Sequence, residues 1–163
     1  MIDPASGVNN CHDEPRAADA RFNPNGESVK KVPEAIKVQL AAGAESGLAS
    51  IIQQFLEQQL GEFEDRRASA ARIRGRLALI ATDHEVAVTM EFDGREIAVW
   101  DGVRLPCATI AGPYASLLEL VQGRTNPLIE HLRGRLKVSV TLRHPLLPLR
   151  LHKLMRLGPE RES

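Results

Sequence analysis

Aromatic residues and cysteines are scarce in this sequence. Phe, Trp and Tyr make up only 4% of the chain, so the core must be aliphatic, and the stacked rings of a single-strand nucleic-acid platform are missing. The two cysteines, Cys11 and Cys107, are far apart and form no C-x-x-C pair, which is not the pattern of a disulfide scaffold or a cysteine-based zinc site. We therefore expect neither a nucleic-acid partner nor a zinc centre.

Long hydrophobic runs are absent as well. The longest apolar stretches are far shorter than the roughly 20 residues that a membrane-spanning helix needs, and no basic segment followed by an apolar one opens the chain. These features predict a soluble, unsecreted protein of the cytoplasm. The 163 residues, of which 43% are hydrophobic, are enough for one domain with one sizeable core.

The sequence also lacks a convincing catalytic constellation. Residues 11–14 (Cys-His-Asp-Glu) bring metal-ligating side chains together, but they lie in a segment that nothing holds in a fixed geometry. His84 beside Asp83 is more typical of a surface polar pair than of a general base. No glycine-rich phosphate loop is present. We therefore expect no enzymatic activity, no cofactor and no metal site.

The charges that are present are distributed unevenly. Residues 1–130 hold 13 Lys and Arg against 19 Asp and Glu, whereas residues 131–163 hold 8 against 2, so charges of −6 and +6 cancel. Such asymmetry predicts an anionic partner, for which the candidates are a membrane surface, a nucleic acid, an acidic protein or the chain's own acidic part. A nucleic acid is the least favoured, because no aromatic residues interleave with these cations.

The chain divides into tails and one folded part. Residues 1–32 are rich in turn-forming and charged residues without apolar periodicity, which predicts a disordered tail. Residues 33–45, opened by Pro33, are compatible with a short helix that the Ala-Ala-Gly-Ala sequence at 41–44 weakens. We assign residues 1–45 to a mostly disordered N-terminal tail, 46–157 to the domain and 158–163 to a C-terminal tail.

Within the domain the hydrophobic period changes along the chain. From Ser46 a spacing of three and four residues predicts a long amphipathic helix that ends within residues 65–72. A period of two then predicts a meander of four strands, at residues 77–81, 86–92, 97–100 and 107–111. The remaining predicted elements include two short helices, one at 114–122 with Gly123 as its stop and one at 127–133 with Asn126 as its N-cap. A fifth strand at 136–142 with one buried face and a basic leucine-rich helix that starts at Pro148 follow them.

This order of elements resembles the sterol carrier protein family, the nonspecific lipid-transfer proteins. The family has a strand of the type A-x-x-T-I, a helix with a leucine pair, Gly-Lys/Arg, Asn-Pro, a short helix and Gly-Lys/Arg-Leu-Lys-Val/Ile. The matching segments here, with the same spacing, are Cys107-Ala108-Thr109-Ile110, Leu117-Leu118-Glu119-Leu120-Val121-Gln122-Gly123-Arg124-Thr125-Asn126-Pro127 and Leu132-Arg133-Gly134-Arg135-Leu136-Lys137-Val138. The likeness covers residues 46–157 and is strongest from 107 to 140.

The resemblance implies a single α+β domain: a mostly antiparallel five-stranded sheet with helices packed on it around an apolar tunnel. In that family the tunnel holds fatty acyl chains, sterols or other lipids, and there are no catalytic residues. The residues that we expect to bind the lipid are Val86, Val88, Met90, Leu117, Leu120, Val121, Ile129, Leu132, Leu136, Val138, Val140, Leu151 and Leu154.

The terminal helix is expected to act as a lid and as a membrane contact. Arg150, Lys153 and Arg156 would meet the anionic head groups of a membrane, or would pair instead with acids of the chain's own negative part.

Two functions follow from the resemblance. The first is noncatalytic binding of a sterol, fatty acyl or isoprenoid chain, with transfer or presentation of that lipid at a membrane or to a lipid-modifying enzyme. The alternative is the same fold with a filled core, serving as a scaffold or accessory subunit of a lipid or quinone biosynthesis complex. We expect a cytoplasmic protein, peripheral to the membrane in the first case.

Overall fold

The computed structural model describes residues 35–156, which form one mixed β-sheet with helices packed on it. The strands are β1 (Lys37–Leu40), β2 (Gly75–Ala81), β3 (Val86–Phe92), β4 (Glu96–Asp101), β5 (Ala108–Gly112) and β6 (Lys137–Val140), in the order β1-β4-β3-β2-β5-β6. The helices are α1 (Gly47–Glu62), α2 (Glu64–Ala70), α3 (Tyr114–Val121), α4 (Pro127–Leu132) and α5 (Leu147–Met155). The predicted α+β class is confirmed, with six strands in the sheet instead of five.

The short helix expected within residues 33–45 is wrong, because the chain forms the edge strand β1 there. This strand is parallel to β4, with Val38 opposite Ile97. Ile36 and Val38 are buried whereas Lys37 and Gln39 are exposed. That alternation has the period of a strand and was readable in the sequence. The predicted tails at residues 1–32 and 158–163 lie outside the described residues.

The predicted four-strand meander is wrong in its last strand. Strands β2, β3 and β4 are antiparallel neighbours, but β5 pairs with β2 in parallel, on the side away from β4. Loop 102–107 therefore crosses the sheet face that carries Thr89. The Thr89 hydroxyl donates to the Gly102 carbonyl (2.7 Å) and accepts from the Arg104 amide (3.1 Å), which fixes the crossing. Period-two alternation identifies a strand but not its neighbours, which is why the sequence did not show this pairing.

The N-cap residue of helix α1, Ser46, makes two side-chain hydrogen bonds. The Ser46 hydroxyl accepts from the Ala49 amide (3.1 Å), as an N-cap residue does, and itself donates to the Asp101 carboxylate at the end of β4. Burial would raise the pKa of Asp101, but the hydrogen bonds from Ser46 and from the Glu45 amide outweigh it and lower that pKa. The cap thereby joins the helix layer to the sheet.

The single long helix expected from Ser46 is divided into α1 and α2. Phe63 adopts an extended backbone between them, with φ −124 and ψ 117. The Arg67 guanidinium, one turn into α2, donates to the Leu60 carbonyl at 2.8 Å and so satisfies an acceptor at the end of α1. The residues after Phe63, Glu-Asp-Arg-Arg-Ala, are compatible with a continued helix, so the sequence pattern alone did not reveal the break.

Helix α5 is tied at its C-terminal end by the buried Arg66 of α2. One guanidinium nitrogen, Nη1, donates to the carbonyls of Lys153 (2.6 Å) and Leu154 (2.8 Å), which lie in the last turn of α5 and lack intrahelical donors. The start of α5 has no comparable side-chain hydrogen bond, because its N-cap residue, Leu146, makes no capping bond. Among residues 35–156, no helix has the length and apolar character to cross a membrane.

Candidate functional site

Apolar side chains form a continuous row across the sheet face that the helices cover. In the strand register, Met90 lies opposite Leu77, Leu77 beside Ala108, and Ala108 opposite Val140. Because side chains alternate between the two faces of a sheet, these four residues share one face. A second row on the same face runs through Val88, Leu79, Ile110 and Val138. Both rows begin in the middle of the sheet and end at the edge strand β6.

The inner part of this apolar surface is closed. Helices α3 and α5 pack over β2 and β5 and contribute to the same hydrophobic cluster as the strands. Eight of the thirteen residues that we expected to bind lipid have at most 1% of their surface exposed, so neighbouring protein atoms cover them completely. We call these eight the closed interior: Val88, Met90, Leu117, Leu120, Val121, Leu136, Leu151 and Leu154.

The outer part of the surface is open. Of the other five expected residues, Val86 and Val138 are half-buried, while Ile129, Leu132 and Val140 are exposed, Leu132 by 79%. The prediction that the strand at 136–142 buries one whole face is therefore wrong. The chain leaves the sheet after Val140, and Leu142 is fully exposed, because β6 is an edge strand with only the six-residue α4 beside it.

The exposed side chains near β6 belong to one region. Helix α4 contacts both β6 and α5, so the apolar residues on these three elements lie at the same edge of the molecule. These elements and the segment that connects β6 to α5 carry seven of the nine exposed large hydrophobic side chains in the described part of the chain. We call these seven the apolar edge: Leu128, Ile129, Leu132, Val140, Leu142, Leu146 and Leu149.

Helix α4 is inverted in polarity. It buries Glu130, which is only 3% exposed, and presents its large apolar residues outward. The Glu130 Oε1 atom accepts from Arg133 Nη1 (3.2 Å), and Oε2 lies 3.7 Å from Arg135 Nη1, an ion-pair distance too long for a hydrogen bond. This buried acid is not among the residues that we expected to be functional from the sequence. Its signal was its isolation, since it is the only acidic residue between Glu119 and Glu160.

The turn after α4 holds the helix against the sheet. The Glu130 carbonyl accepts from the amides of Arg135 (2.9 Å) and Leu136 (3.2 Å), and the His131 ring nitrogen Nδ1 lies 3.0 Å from the Leu136 carbonyl. Gly112 of β5 makes room for this turn, because a Cβ atom there would lie 2.8 Å from the Arg135 carbonyl oxygen. The predicted Asn126 cap is confirmed: its side chain accepts from the Leu128 amide at 2.9 Å.

Cations surround the apolar edge. Lys137, Arg143, Arg150 and Lys153 are exposed, and within residues 35–156 they form no ion pair. The pairing of Arg150 and Lys153 with the chain's own acids, one of our two expectations, is thus not observed within those residues. Arg156, the third expected membrane contact, is exposed at the C-cap of α5.

The remaining polar groups considered in the sequence fit structural roles. Asp83 and His84 form a half-exposed pair, with 3.1 Å between Oδ1 and Nδ1, and the same carboxylate oxygen accepts from the Tyr114 amide at the start of α3. These hydrogen bonds, first that from His84, lower the pKa of Asp83. Residues 11–14 lie outside the described residues, and within 35–156 no group of three or more His, Cys, Asp or Glu could hold a metal ion.

Comparison with known proteins supports a single family. The model of the SCP-2 sterol transfer family matches residues 52–139, more than half of the chain. No curated protein sequence matches significantly.

Several solved structures are also similar to this chain. A crystal structure of sterol carrier protein 2 is 25% identical, with a TM-score of 0.48, and the match covers 68% of this chain and 96% of the other. The ubiquinone synthesis protein UbiJ-SCP2 is 18% identical, with a TM-score of 0.52 and coverages of 66% and 92%. TT1886 from Thermus thermophilus, described as possibly a sterol carrier protein, is 24% identical, with a TM-score of 0.47 and coverages of 77% and 97%.

Proposed function

Because the chain belongs to the SCP-2 sterol transfer family, we propose that it binds a lipid with a long apolar chain and transfers or presents it, without catalysing a reaction. The lipid would be a sterol, a fatty acyl chain or an isoprenoid, taken up between the sheet and the helices. The residues that would contact it are those of the closed interior together with Val86, Val138 and Val140 at its margin. The protein would work in the cytoplasm and exchange its lipid at a membrane surface or with a lipid-modifying enzyme.

One observation carries this proposal: the apolar row that runs without interruption from the closed interior to the exposed edge at β6. Met90, Leu77 and Ala108 are fully covered, and Val140, next in the row, is 43% exposed. A core that served packing alone would end in polar residues at the edge strand. Here the apolar surface reaches the solvent, which supports a path by which an apolar chain enters.

The energetics of burial are sufficient for useful affinity. Each methylene transferred from water contributes about 0.8 kcal/mol, whereas micromolar binding needs about 8 kcal/mol. A long chain therefore exceeds the requirement even after the loss of its conformational freedom. Because the closed interior is fully covered, uptake requires a helix to move. Helix α4 is the best candidate, since Pro127 and Glu130 are its only buried residues and its displacement exposes little apolar surface.

A substitution at the margin of the interior tests the proposal. Val138 is half-buried on the helix-covered face, and Ser139 is exposed on the opposite face of the same strand. We expect Val138→Gln to weaken binding of a fluorescent fatty acid about tenfold, while the melting temperature changes little, because a polar amide would lie in the path of the chain. The matched control Ser139→Gln should bind like the parent.

The alternative, a scaffold or accessory subunit of a lipid or quinone biosynthesis complex, is favoured by a different observation. The closed interior has the complete coverage of an ordinary filled core. Native mass spectrometry of the freshly purified protein separates the two functions. A bound mass that organic solvent removes supports the carrier. A bare protein whose affinity for the fluorescent fatty acid is undetectable supports the scaffold.

A further inference from the structure

The apolar edge has the wrong polarity for a surface that stays in water. A helix at the surface of a globular protein turns its apolar stripe inward and its charges outward. Helix α4 does the reverse: Leu128, Ile129 and Leu132 are exposed while Glu130 is buried. Beyond β6 the fully exposed Leu142 extends the same surface. Exposed apolar residues concentrated in one region mark a binding surface, so the occupant of this edge has an apolar part.

The charges around the edge indicate a second chemical property of the occupant. Lys137, Arg143 and Arg150 are exposed and lack ion pairs within residues 35–156. In the described chain after Glu119, the only acid is Glu130, whose carboxylate is buried. The exposed charges that α4, β6, α5 and their connecting segments carry are thus all cationic. The occupant of the edge is therefore both apolar and anionic.

A second copy of the chain does not meet this requirement. Two copies that met through the same edge in a symmetric dimer would bring the cations around the edge of one copy, Lys137, Arg143 and Arg150, close to those of the other. Like charges at close range oppose such a contact. The surface of an anionic bilayer offers both complements at once, acyl chains below and phosphate groups above.

We propose that the apolar edge docks on an anionic lipid bilayer, with its leucines inserted between head groups and Lys137, Arg143 and Arg150 bound to phosphates. This deepens the proposed function and rests on it, because a lipid carrier exchanges its cargo at such a surface. Val140 belongs both to the edge and to the apolar row that leads to Leu77. Docking in this orientation points the end of that row at the membrane.

Vesicle flotation of the full chain tests the docking. The vesicles contain phosphatidylcholine with or without phosphatidylglycerol, at low and at high salt. The apolar variant is Leu132→Ser with Leu142→Ser, and its control is Val103→Ser in the loop on the opposite sheet face, where Val103 is also exposed. Both variants change side chains that are mostly in water, so the fold should remain intact.

The charge variant combines Lys137→Ser, Arg143→Ser and Arg150→Ser. Its control is Lys37→Ser on β1, an exposed lysine on the far edge strand, five strand spacings or about 24 Å from β6. The parent and both controls should float with anionic vesicles and not with neutral ones. Removal of the three cations should lower partitioning on the order of 100-fold, and salt should do the same.

A second measurement does not depend on loss of binding. In a Trp100→Phe background, brominated lipids should quench the fluorescence of Leu142→Trp, since this side chain would enter the bilayer, and should leave that of Val103→Trp unchanged. Equal quenching at both positions would overturn the proposal. So would an apolar variant or a charge variant that floats like the parent, or a parent dimer that the Leu132→Ser and Leu142→Ser changes dissociate.

The results of flotation and of native mass spectrometry distinguish a failure of the docking from a failure of the proposed function. A protein that carries lipid by native mass spectrometry but does not float with anionic vesicles keeps the function and loses the docking face. A protein that floats through this edge but holds no lipid keeps the docking face and loses the carrier function.

Discussion

The closed interior and the apolar edge are made of the same residue types, yet only the edge is in contact with water. Leu120 of α3 is 1% exposed and Leu132 of α4 is 79% exposed. What separates them is the position of their helix over the sheet. Helix α3 lies over the central β2 and β5, with α1 and α5 beside it, whereas α4 lies at the margin beside β6. An edge strand has no further neighbour to support a second layer, so the same hydrophobic pattern is buried in one place and open in the other.

The largest expected effect is a truncation that compares the two regions directly. Leu120→Ala should lower the free energy of unfolding by about 2–5 kcal/mol, because it leaves a cavity in a fully covered site. Leu132→Ala should change it by less than about 0.5 kcal/mol, because that side chain is already in water. Urea unfolding of the two variants provides the measurement. Equal losses would mean that Leu132 is covered in solution and that the edge is not open.

The contrast between the two regions also explains how much could be predicted from the sequence. Boundaries set by local chemistry were predicted well: the Asn126 cap and Pro127 place the start of α4, and Gly123 follows α3 with the positive φ of a helix stop. The family resemblance added the fold, because its motifs within residues 107–138 occur in the same order and with the same spacing.

Features that depend on distant neighbours were not predicted. Val140 and Leu142 continue a period-two pattern, and the pattern cannot show that α4 leaves them uncovered. The pairing of β5 with β2 and the inward orientation of Glu130 likewise depend on contacts that only the folded chain provides. Periodicity therefore identified the apolar residues of the candidate site as one set, and only the structure divided that set into a closed interior and an open margin.

The second prediction concerns a substitution that makes the buried side of α4 apolar, as the closed interior is. Glu130→Met replaces a buried carboxylate by an apolar side chain of similar size. Arg133 and Arg135, its partners, have side chains that are 64% and 62% exposed, so they remain hydrated when the acid is lost. Replacement of a buried ion pair by a packed apolar residue is often neutral or stabilising, and we expect a gain of up to about 1 kcal/mol in the free energy of unfolding.

Thermal unfolding measures this effect, with Glu119→Met on the exposed face of α3 as the matched control. A tighter α4 should also slow the uptake of a fluorescent fatty acid if α4 is the element that moves. A loss of stability larger than about 1 kcal/mol would show that the ion pairs of Glu130, and not packing, hold α4 in place.

The smallest expected effect is a pH dependence of the free energy of unfolding. It arises in α5, the helix that contacts both regions. His152 is half-buried on α5, between residues of the closed interior, Leu151 and Leu154, and the exposed Lys153. Burial, and after it the charge of Arg156, lowers the pKa of His152 below the ordinary value of 6.5. The unfolded chain therefore binds a proton more readily than the folded one.

Because of this difference, the contribution of neutral His152 to the free energy of unfolding should be fully present above pH 6.5. It should fall as the pH decreases from 6.5 toward the lowered folded-state pKa, below which the loss is complete. Urea midpoints on either side of pH 6.5 measure it. His152→Gln should reduce the slope of the urea midpoint against pH. Arg156→Ala should retain most of that slope, because burial is the larger cause of the lowered pKa. If the slope of His152→Gln equals that of the parent, then α5 does not desolvate this imidazole and the terminal helix is less closely packed on the interior than its contacts indicate.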